Sequence, residues 1–239
     1  NLWPERPEKP STPLYTLPLD ISGKDRKDKI DQIKDLLLLQ DAVGTFISSL
    51  DDIAWLLNIR AMDVKMNPVA LAYCWVSQKK VILFTDVSRF EIGVKEELEK
   101  DHVELRAYDE YRSFLKELGN KNVYISGERN SWEVTDLLPS SCEIIEGPEF
   151  TSTLKSKKNP VEIDCFRKAM IEDGAAMVNF IYWLKSALEK ETVTEISAAG
   201  KLREFRAEQP HFIVESFTPI PAYSFHGALC HYDADEKSS

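Results

Sequence analysis

Histidine is the residue type from which a catalytic or metal-binding site is most readily built, and this chain has only four. No HExxH motif occurs, which excludes a zinc site of the zincin type. His226 and His231 form the closest pair, but residues five apart on an extended segment point to opposite faces. That spacing disfavours joint ligation of one metal ion. By itself, His231 is interpreted as a partly buried strand histidine with a hydrogen-bond partner.

Motifs for other chemistries are missing as well. The nine glycines are dispersed, and none builds a GxGxxG or GxxxxGK phosphate loop. No GxSxG sequence is present for a nucleophilic serine. Cys230 and His231 are adjacent, so on a strand their side chains would point to opposite faces. We therefore do not expect a Cys–His dyad.

Arg60 is the other candidate for a binding role. It follows a predicted short helix that Asp51 and Asp52 could cap and that carries Ile53, Trp55 and Leu56. The guanidinium group could clamp an acidic group of a ligand. Alternatively, an arginine at a helix end complements the helix dipole. The sequence leaves both interpretations open.

Composition narrows the class of protein. A net charge of −10 over 239 residues argues against a nucleic-acid binder, which needs clustered Lys and Arg. The longest apolar runs, such as residues 36–39, are too short to span a bilayer. The scattered cysteines contain no CxxC pair, which favours a reduced, cytoplasmic protein over a disulfide framework. Residues 1–4 form no signal peptide and begin without Met, which is typical of the interior of a longer polypeptide.

The first two thirds of the chain alternate between helical and strand patterns. Five prolines in residues 1–22 predict an extended arm without helix. Helices are predicted at 23–41, from 51, and at 88–100, 109–118 and 130–138. Strands are predicted at 43–50, 69–76, 81–85, 103–108, 123–126 and 142–145. Helices between strands indicate a largely parallel sheet, and the polar turn at 77–80 adds an antiparallel hairpin. We therefore expect an α/β domain with a mixed sheet at residues 23–157.

A second domain is predicted at residues 158–239. The polar, basic stretch 154–158 marks the boundary, and Asn159-Pro160 is a strong start signal for a long helix. A capping-box pattern at 192–195 opens another helix that ends at Gln209. The face of this helix expected to be buried carries Ile196, Ala199, Leu202 and Phe205. Residues 212–232 are predicted to form two extended segments.

Several segments resemble the three-domain Xaa-Pro aminopeptidases (aminopeptidase P) of the pita-bread metallopeptidase family. The matching segments are WPERP at 3–7, LDDIAWLLNIR at 50–60 with NPV at 67–69, KNPVE at 158–162, VTEISAA at 193–199 and GALCHY at 227–232. Five matches in the family's order, at its separations, make the resemblance specific. It implies that residues 23–157 are the family's middle domain and that residues 158–239 begin an incomplete α+β pita-bread domain.

The resemblance also implies an activity. The family removes the N-terminal residue from peptides with proline second, using two bridged divalent metal ions, usually manganese. These ions lower the pKa of a water molecule and polarise the scissile carbonyl group. The family's metal ligands follow the segment that corresponds to His231, so we expect no metal to be bound by this chain alone. We also expect the isolated chain to be inactive, and the intact enzyme to be a cytoplasmic homodimer that binds no nucleic acid and no membrane.

His231 is the active-site residue that the resemblance carries over. It matches the histidine that hydrogen-bonds the substrate near the scissile bond, where an imidazole donor would help to hold the oxyanion. Residues 219–226 depart from the family pattern because prolines and aromatic residues replace its Ser/Thr-, Gly- and Asn-rich approach. This departure leaves a rival hypothesis, a non-catalytic peptide- or protein-binding module related to the pita-bread fold.

Overall fold

A computed structural model describes residues 3–237 and divides the chain into two compact units, with the division between Glu162 and Ile163. The first unit is built around a six-stranded sheet. The second contains most of a long helix, a shorter helix and an irregular segment. Each unit is described by itself.

Within the described part of the first unit, residues 3–162, eight strands form two sheets. The strands are β1 (Tyr15–Thr16), β2 (Gly44–Ile47), β3 (Ile59–Arg60), β4 (Tyr73–Ser77), β5 (Val81–Thr85), β6 (Val103–Ala107), β7 (Asn122–Ile125) and β8 (Glu143–Glu146). β1 and β3 pair as a two-stranded antiparallel sheet, and the others form one sheet in the order β6-β5-β4-β2-β7-β8. β4 is antiparallel to β2 and β5, whereas the remaining pairs in this sheet are parallel. The predicted mixed sheet is confirmed.

Nine α-helices are present in the described residues. They are α1 (Leu19–Ser22), α2 (Arg26–Leu39), α3 (Leu50–Leu57), α4 (Val94–Lys100), α5 (Tyr111–Lys116), α6 (Trp132–Leu137), α7 (Phe150–Ser156), α8 (Pro160–Ala187) and α9 (Glu195–Ala207). Helices of the first unit cover both faces of the large sheet, which is the arrangement expected for an α/β domain.

Side chains that alternate along the strands divide the core into two clusters, because neighbouring residues of a strand point to opposite faces. On one face, Cys74 and Val76 of β4 pack with Ile33 and Leu37 of α2. On the other face, Trp75 packs with buried aromatic and aliphatic residues of the sheet and of α5 and α6. The sheet is thus buried on both sides, as its near-continuous apolar strands predict.

The N-terminal segment is more structured than its prolines predict. The prediction of an arm without helix over residues 1–22 is wrong at Leu19–Ser22, which form α1. Pro18 directly precedes this helix with φ −70°, a position where its missing N–H group does no harm. Gly23 ends it in the left-handed region, at φ +63°. Residues 1 and 2 of the predicted arm lie outside the described residues.

Several helix starts also differ from the prediction. α3 is preceded by Ser49 in the cap position, whereas Asp51 and Asp52 lie in its first turn. The helix predicted from residue 88 begins only at Val94, because Gly93 has φ +87° and interrupts the helical backbone. Helix α7 occupies part of the stretch 154–158 that was predicted to be a boundary.

The long helix α8 begins as predicted. The N–H group of Glu162 donates to Asn159 Oδ1 at 3.0 Å, and the N–H group of Asn159 donates to Glu162 Oε2 at 2.9 Å. This reciprocal cap satisfies two backbone donors at the start of the helix. Helix α9 has a capping box, but it begins at Thr194 instead of Thr192. Thr194 Oγ1 accepts from the Ser197 N–H group, and Ser197 Oγ accepts from the Thr194 N–H group.

The prediction of two extended segments over residues 212–232 is wrong. Its centre is a 3₁₀ turn, Ser224–Ala228, and no strand lies in this part of the chain. Ile196, predicted to be buried, is 41% exposed. Helix α8 also leaves large apolar side chains exposed, among them Phe166, Met170, Ile171, Val178 and Tyr182.

Two further observations bear on the class of protein. No disulfide joins Cys74, Cys142, Cys165 or Cys230, all within the described range, and Cys74 is buried in β4. None of the helices in residues 3–237 has both the length and the apolar character needed to cross a membrane.

Candidate functional site

Glu195 organises the region around the histidine pair in the second unit. It is the first residue of α9 and only 8% exposed. Its Oε1 accepts from the Tyr223 N–H group at 2.5 Å and lies 3.0 Å from His226 Nδ1. Its Oε2 accepts from the Tyr232 hydroxyl group at 2.6 Å. One carboxylate therefore holds the 3₁₀ turn and the segment after it against the start of α9.

The pKa of Glu195 lies below its ordinary value. Burial alone would raise this pKa, but the hydrogen bonds from Tyr232, Tyr223 and His226 outweigh it. The ring of His226 also stacks on that of Tyr232, with centroids 4.5 Å apart. Both oxygens of Glu195 accept hydrogen bonds from residues 223–232, so the carboxylate positions this segment.

His231 lies beside this cluster. Its neighbour Tyr232 is bound to Glu195, whereas the imidazole of His231 is exposed and its backbone has φ +55°. The prediction of a partly buried strand histidine is therefore wrong for His231, which lies in a turn and is exposed. The arrangement fixes the backbone on the C-terminal side of His231 and leaves its ring nitrogens available to a ligand.

The histidine pair does not form a metal site. His226 faces Glu195, whereas His231 faces solvent. Within residues 3–237, no three His, Cys, Asp or Glu side chains lie close enough together to hold a metal ion. A two-metal centre needs several converging carboxylates and imidazoles, and the donors present in the described residues do not fit that requirement.

Arg60 lies in the first unit, on β3, opposite Tyr15 of β1. Its Nη1 donates to the carbonyl oxygens of Ala54 at 2.8 Å and of Ile59 at 2.9 Å. Ala54 belongs to the last turn of α3, so this contact satisfies a carbonyl group at the negative end of the helix dipole. Burial lowers the pKa of the guanidinium group from its ordinary value.

Sequence reasoning missed the buried ionic groups of the first unit. Lys29 is 1% exposed, and its Nζ donates to Trp55 O at 2.7 Å and to Asn58 Oδ1 at 2.6 Å. Burial lowers its pKa to about 8. The only signal in the sequence was that Lys29 directly precedes Ile30, one of the apolar positions of α2. A lysine on the solvent-exposed face of the helix was an equally good interpretation.

We expect Glu195→Gln to increase the rate of amide hydrogen exchange in residues 223–232. An amide side chain offers one acceptor oxygen in place of a carboxylate's two, so either the Tyr223 N–H group or the Tyr232 hydroxyl loses its acceptor, and the other keeps only an uncharged one. Because the folded pKa of Glu195 is depressed, wild-type protection is full above the unfolded pKa and is lost as pH falls through the folded pKa.

Hydrogen–deuterium exchange with mass spectrometry measures this effect. The matched control is Glu208→Gln, which removes one exposed carboxylate just after α9 and should leave the exchange of residues 223–232 unchanged. Equal exchange in the Glu195→Gln variant and the wild type would show that Glu195 does not hold the segment.

Comparison with known proteins gives the ancestry of the chain. The family model of the creatinase/prolidase N-terminal domain matches residues 5–162. A probable Xaa-Pro aminopeptidase P from Coprinopsis cinerea is 33% identical over 98% of this chain and 40% of its own length. A probable Xaa-Pro aminopeptidase P from Metarhizium acridum is 29% identical over the same shares. The chain thus spans about 40% of the length of these curated relatives.

Solved structures agree with the fold. The crystal structure of an X-prolyl aminopeptidase from Caenorhabditis elegans, described as a cytosolic enzyme with a di-nuclear active site, superposes with a TM-score of 0.83. It is 25% identical, and the match covers 90% of this chain and 36% of that one. An Xaa-Pro dipeptidase from Bacillus anthracis, at 17% identity, shares the fold over 77% of this chain and 50% of its own, with a TM-score of 0.56. The matched sequence and the mixed sheet together show that this chain belongs to the creatinase/prolidase N-terminal domain family.

Proposed function

We propose that the chain is part of a metallo-aminopeptidase that removes the N-terminal residue from peptides with proline at the second position. The observation that carries the proposal is the alignment of 98% of the chain with relatives named Xaa-Pro aminopeptidase P. The exposed imidazole of His231 beside the Glu195–Tyr232 hydrogen bond supports it, because a substrate could reach this donor.

In this proposal the intact enzyme uses two manganese ions, which would polarise the scissile carbonyl group and activate a water molecule. Their ligands are supplied by sequence other than the described residues. His231 donates a hydrogen bond to the substrate near the scissile bond. Arg60 contacts an acidic group of the substrate through the guanidinium nitrogens other than Nη1, which already donates to two carbonyl groups.

The proposal extends to domains and assembly. Residues 1–22 are a linker segment, residues 23–157 are the middle domain, and residues 158–239 open the pita-bread domain of a cytoplasmic homodimer. The apolar side chains that α8 exposes support this division, since a large apolar surface of this kind is normally covered by other protein.

The purified 239-residue chain should show no turnover of an Arg-Pro-Pro peptide in manganese-containing buffer, as measured by release of free arginine. The polypeptide of the complete reading frame should turn the peptide over. In that longer protein, His231→Ala should lower kcat/KM by about 10²–10³-fold, the usual loss for a donor to an oxyanion. His211→Ala, which removes an exposed histidine paired with Glu172, should stay within about twofold of the wild type, as surface changes do.

Robust turnover by the 239-residue chain would contradict the expected inactivity. A complete protein that binds the peptide without cleaving it would contradict the enzyme proposal and favour the non-catalytic binding module. Equal kcat/KM for His231→Ala and the wild type would show that His231 has no role in the mechanism, without contradicting the peptidase assignment.

A further inference from the structure

A pocket of about 420 Å³ opens on the first unit, on the face of the sheet that α5 covers. It lies between the β4–β5 turn, the C-terminal end of α5 and residue Val43 ahead of β2. Its volume is within the range of pockets that bind small organic molecules. Nothing in the proposed peptidase chemistry uses it.

The floor of the pocket is apolar and rigidly packed. Trp75 and Phe114 are 2% and 7% exposed and meet edge to face, with ring centroids 5.3 Å apart. Leu118 completes the floor at 5% exposure. The indole lies so close to Gly44 that a Cβ atom at this position would collide with the six-membered ring of Trp75. The aromatic rings are therefore fixed by packing, and the small parts of Trp75, Phe114 and Leu118 that stay exposed form a preformed apolar floor. The Lys80 ammonium and Arg106 guanidinium groups lie over the Phe114 ring, each 5.6 Å from its centroid.

The rim has the opposite charge to the chain as a whole. Four cationic side chains and one carboxylate line the pocket, although the whole chain carries a net charge of −10. Arg106 and Lys80 share Glu104, at 2.5 and 3.7 Å. Lys79 and Lys121 have no ionic partner among the described residues. Two uncompensated ammonium groups above a low-dielectric floor attract an anion into the pocket.

We propose that this pocket binds a small organic anion that carries a planar apolar group. The planar group packs on Trp75, Phe114 and Leu118, while the anionic group pairs with Lys79 and Lys121. Such a ligand contacts both the floor and the rim of the pocket. The apolar floor holds the flat group, and the charged rim orients the anion.

Naphthoate is a suitable probe, and its binding can be followed by the NMR shift of the Trp75 indole N–H group in the 239-residue chain. We expect saturable binding by the wild type and at least about a tenfold weaker affinity in the Lys79→Ala/Lys121→Ala variant, since paired charges fix such ligands. The control Lys65→Ala/Lys157→Ala removes the same charge from exposed lysines that do not line the pocket. Its affinity should stay within about twofold of the wild type, apart from weak long-range electrostatics.

The neutral analogue naphthylmethanol separates charge from simple apolar contact, and it should bind at least about tenfold more weakly than naphthoate. The proposal is overturned if naphthoate leaves the Trp75 resonance unshifted, if the Lys79→Ala/Lys121→Ala variant binds as well as the wild type, or if naphthylmethanol binds equally well. Binding that moves only the Trp183 resonance of α8 would likewise overturn it, because that result places the ligand on the exposed apolar helix. None of these readouts depends on peptidase activity.

Discussion

Asp63→Ala should lower the free energy of unfolding of the first unit by about 3–5 kcal/mol, the usual cost of breaking a buried ion pair. The Asp63 side chain has no exposed area and is paired with Arg89, whose side chain is 2% exposed. Asp63 Oδ1 also accepts from the N–H and hydroxyl groups of Thr12, and Oδ2 accepts from the Leu71 N–H group. Alanine leaves the Arg89 guanidinium group buried without its carboxylate and removes the acceptor of the partly buried Thr12 and Leu71 donors.

Urea denaturation followed by tryptophan fluorescence tests this expectation. Trp183→Phe is a suitable background, because the other four of the five tryptophans lie before residue 163 and report on the first unit. Asp109→Ala is the matched control, since its carboxylate is 67% exposed and bridges Lys9 and Arg112. It should lower the free energy of unfolding by no more than about 1 kcal/mol, as exposed ion pairs contribute little.

A double variant separates the ion pair from the hydrogen bonds. Arg89→Met removes the positive charge that Asp63→Ala leaves buried without a partner. The double variant Asp63→Ala/Arg89→Met should therefore lower the free energy of unfolding by less than the sum of the two single variants. Additive losses would mean that the pair is not coupled. If Asp63→Ala lowers the free energy of unfolding by less than about 1 kcal/mol, the Asp63–Arg89 pair contributes no more than an exposed ion pair does.

Glu149→Gln should stabilise the first unit above neutral pH by up to about 3 kcal/mol. Glu149 directly precedes α7 and is 3% exposed, and neither of its carboxylate oxygens has a hydrogen-bond partner within the described residues. Burial, together with the charge of Asp52 nearby, raises its pKa from 4.5 to about 7. The native protein therefore resists ionisation of this group.

The sign of the pH dependence follows from the raised pKa. Between 4.5 and about 7 the unfolded chain has lost the Glu149 proton while the folded chain retains it, so stability falls as pH rises through this window. The glutamine side chain of the Glu149→Gln variant does not titrate, so the advantage of the variant grows across the window. It should be near zero at about pH 4 and reach its maximum at about pH 8.

The same urea experiment, repeated across this pH range, measures the effect. The control Glu143→Gln changes an exposed carboxylate on β8 and should change the free energy of unfolding by less than about 0.5 kcal/mol. A stability difference for Glu149→Gln that does not vary with pH would show that Glu149 ionises normally in the folded protein.

Much of the fold could be predicted because it depends on local patterns. The hairpin β4–β5 followed from two apolar runs and a polar turn, and the start of α8 followed from Asn159-Pro160. The errors arose where a tertiary contact decided the structure. Residues 224–228 form a turn, and their N-terminal flank is bound to Glu195, which lies 28 positions before Tyr223.

The candidate site was harder to predict than the fold for the same reason. His231 could be singled out only through a family resemblance, since an isolated histidine carries no spacing signal. Glu195 entered the sequence reasoning only as part of a cap, yet it binds three groups distant in the chain. Asp63 and Glu149 gave no signal, because burial of a carboxylate is decided by packing from several elements at once.

The two outermost strands of the large sheet have a consequence for behaviour at high concentration. β6 exposes Glu104, and β8 exposes Glu143 and Glu146. Glu104 is paired with Arg106 and Lys80, so its charge is compensated. At β8, a neighbouring molecule that extended the sheet would bring its own carboxylates against Glu143 and Glu146, and repulsion opposes such growth. Samples of this protein should therefore resist β-rich fibril formation at the β8 edge.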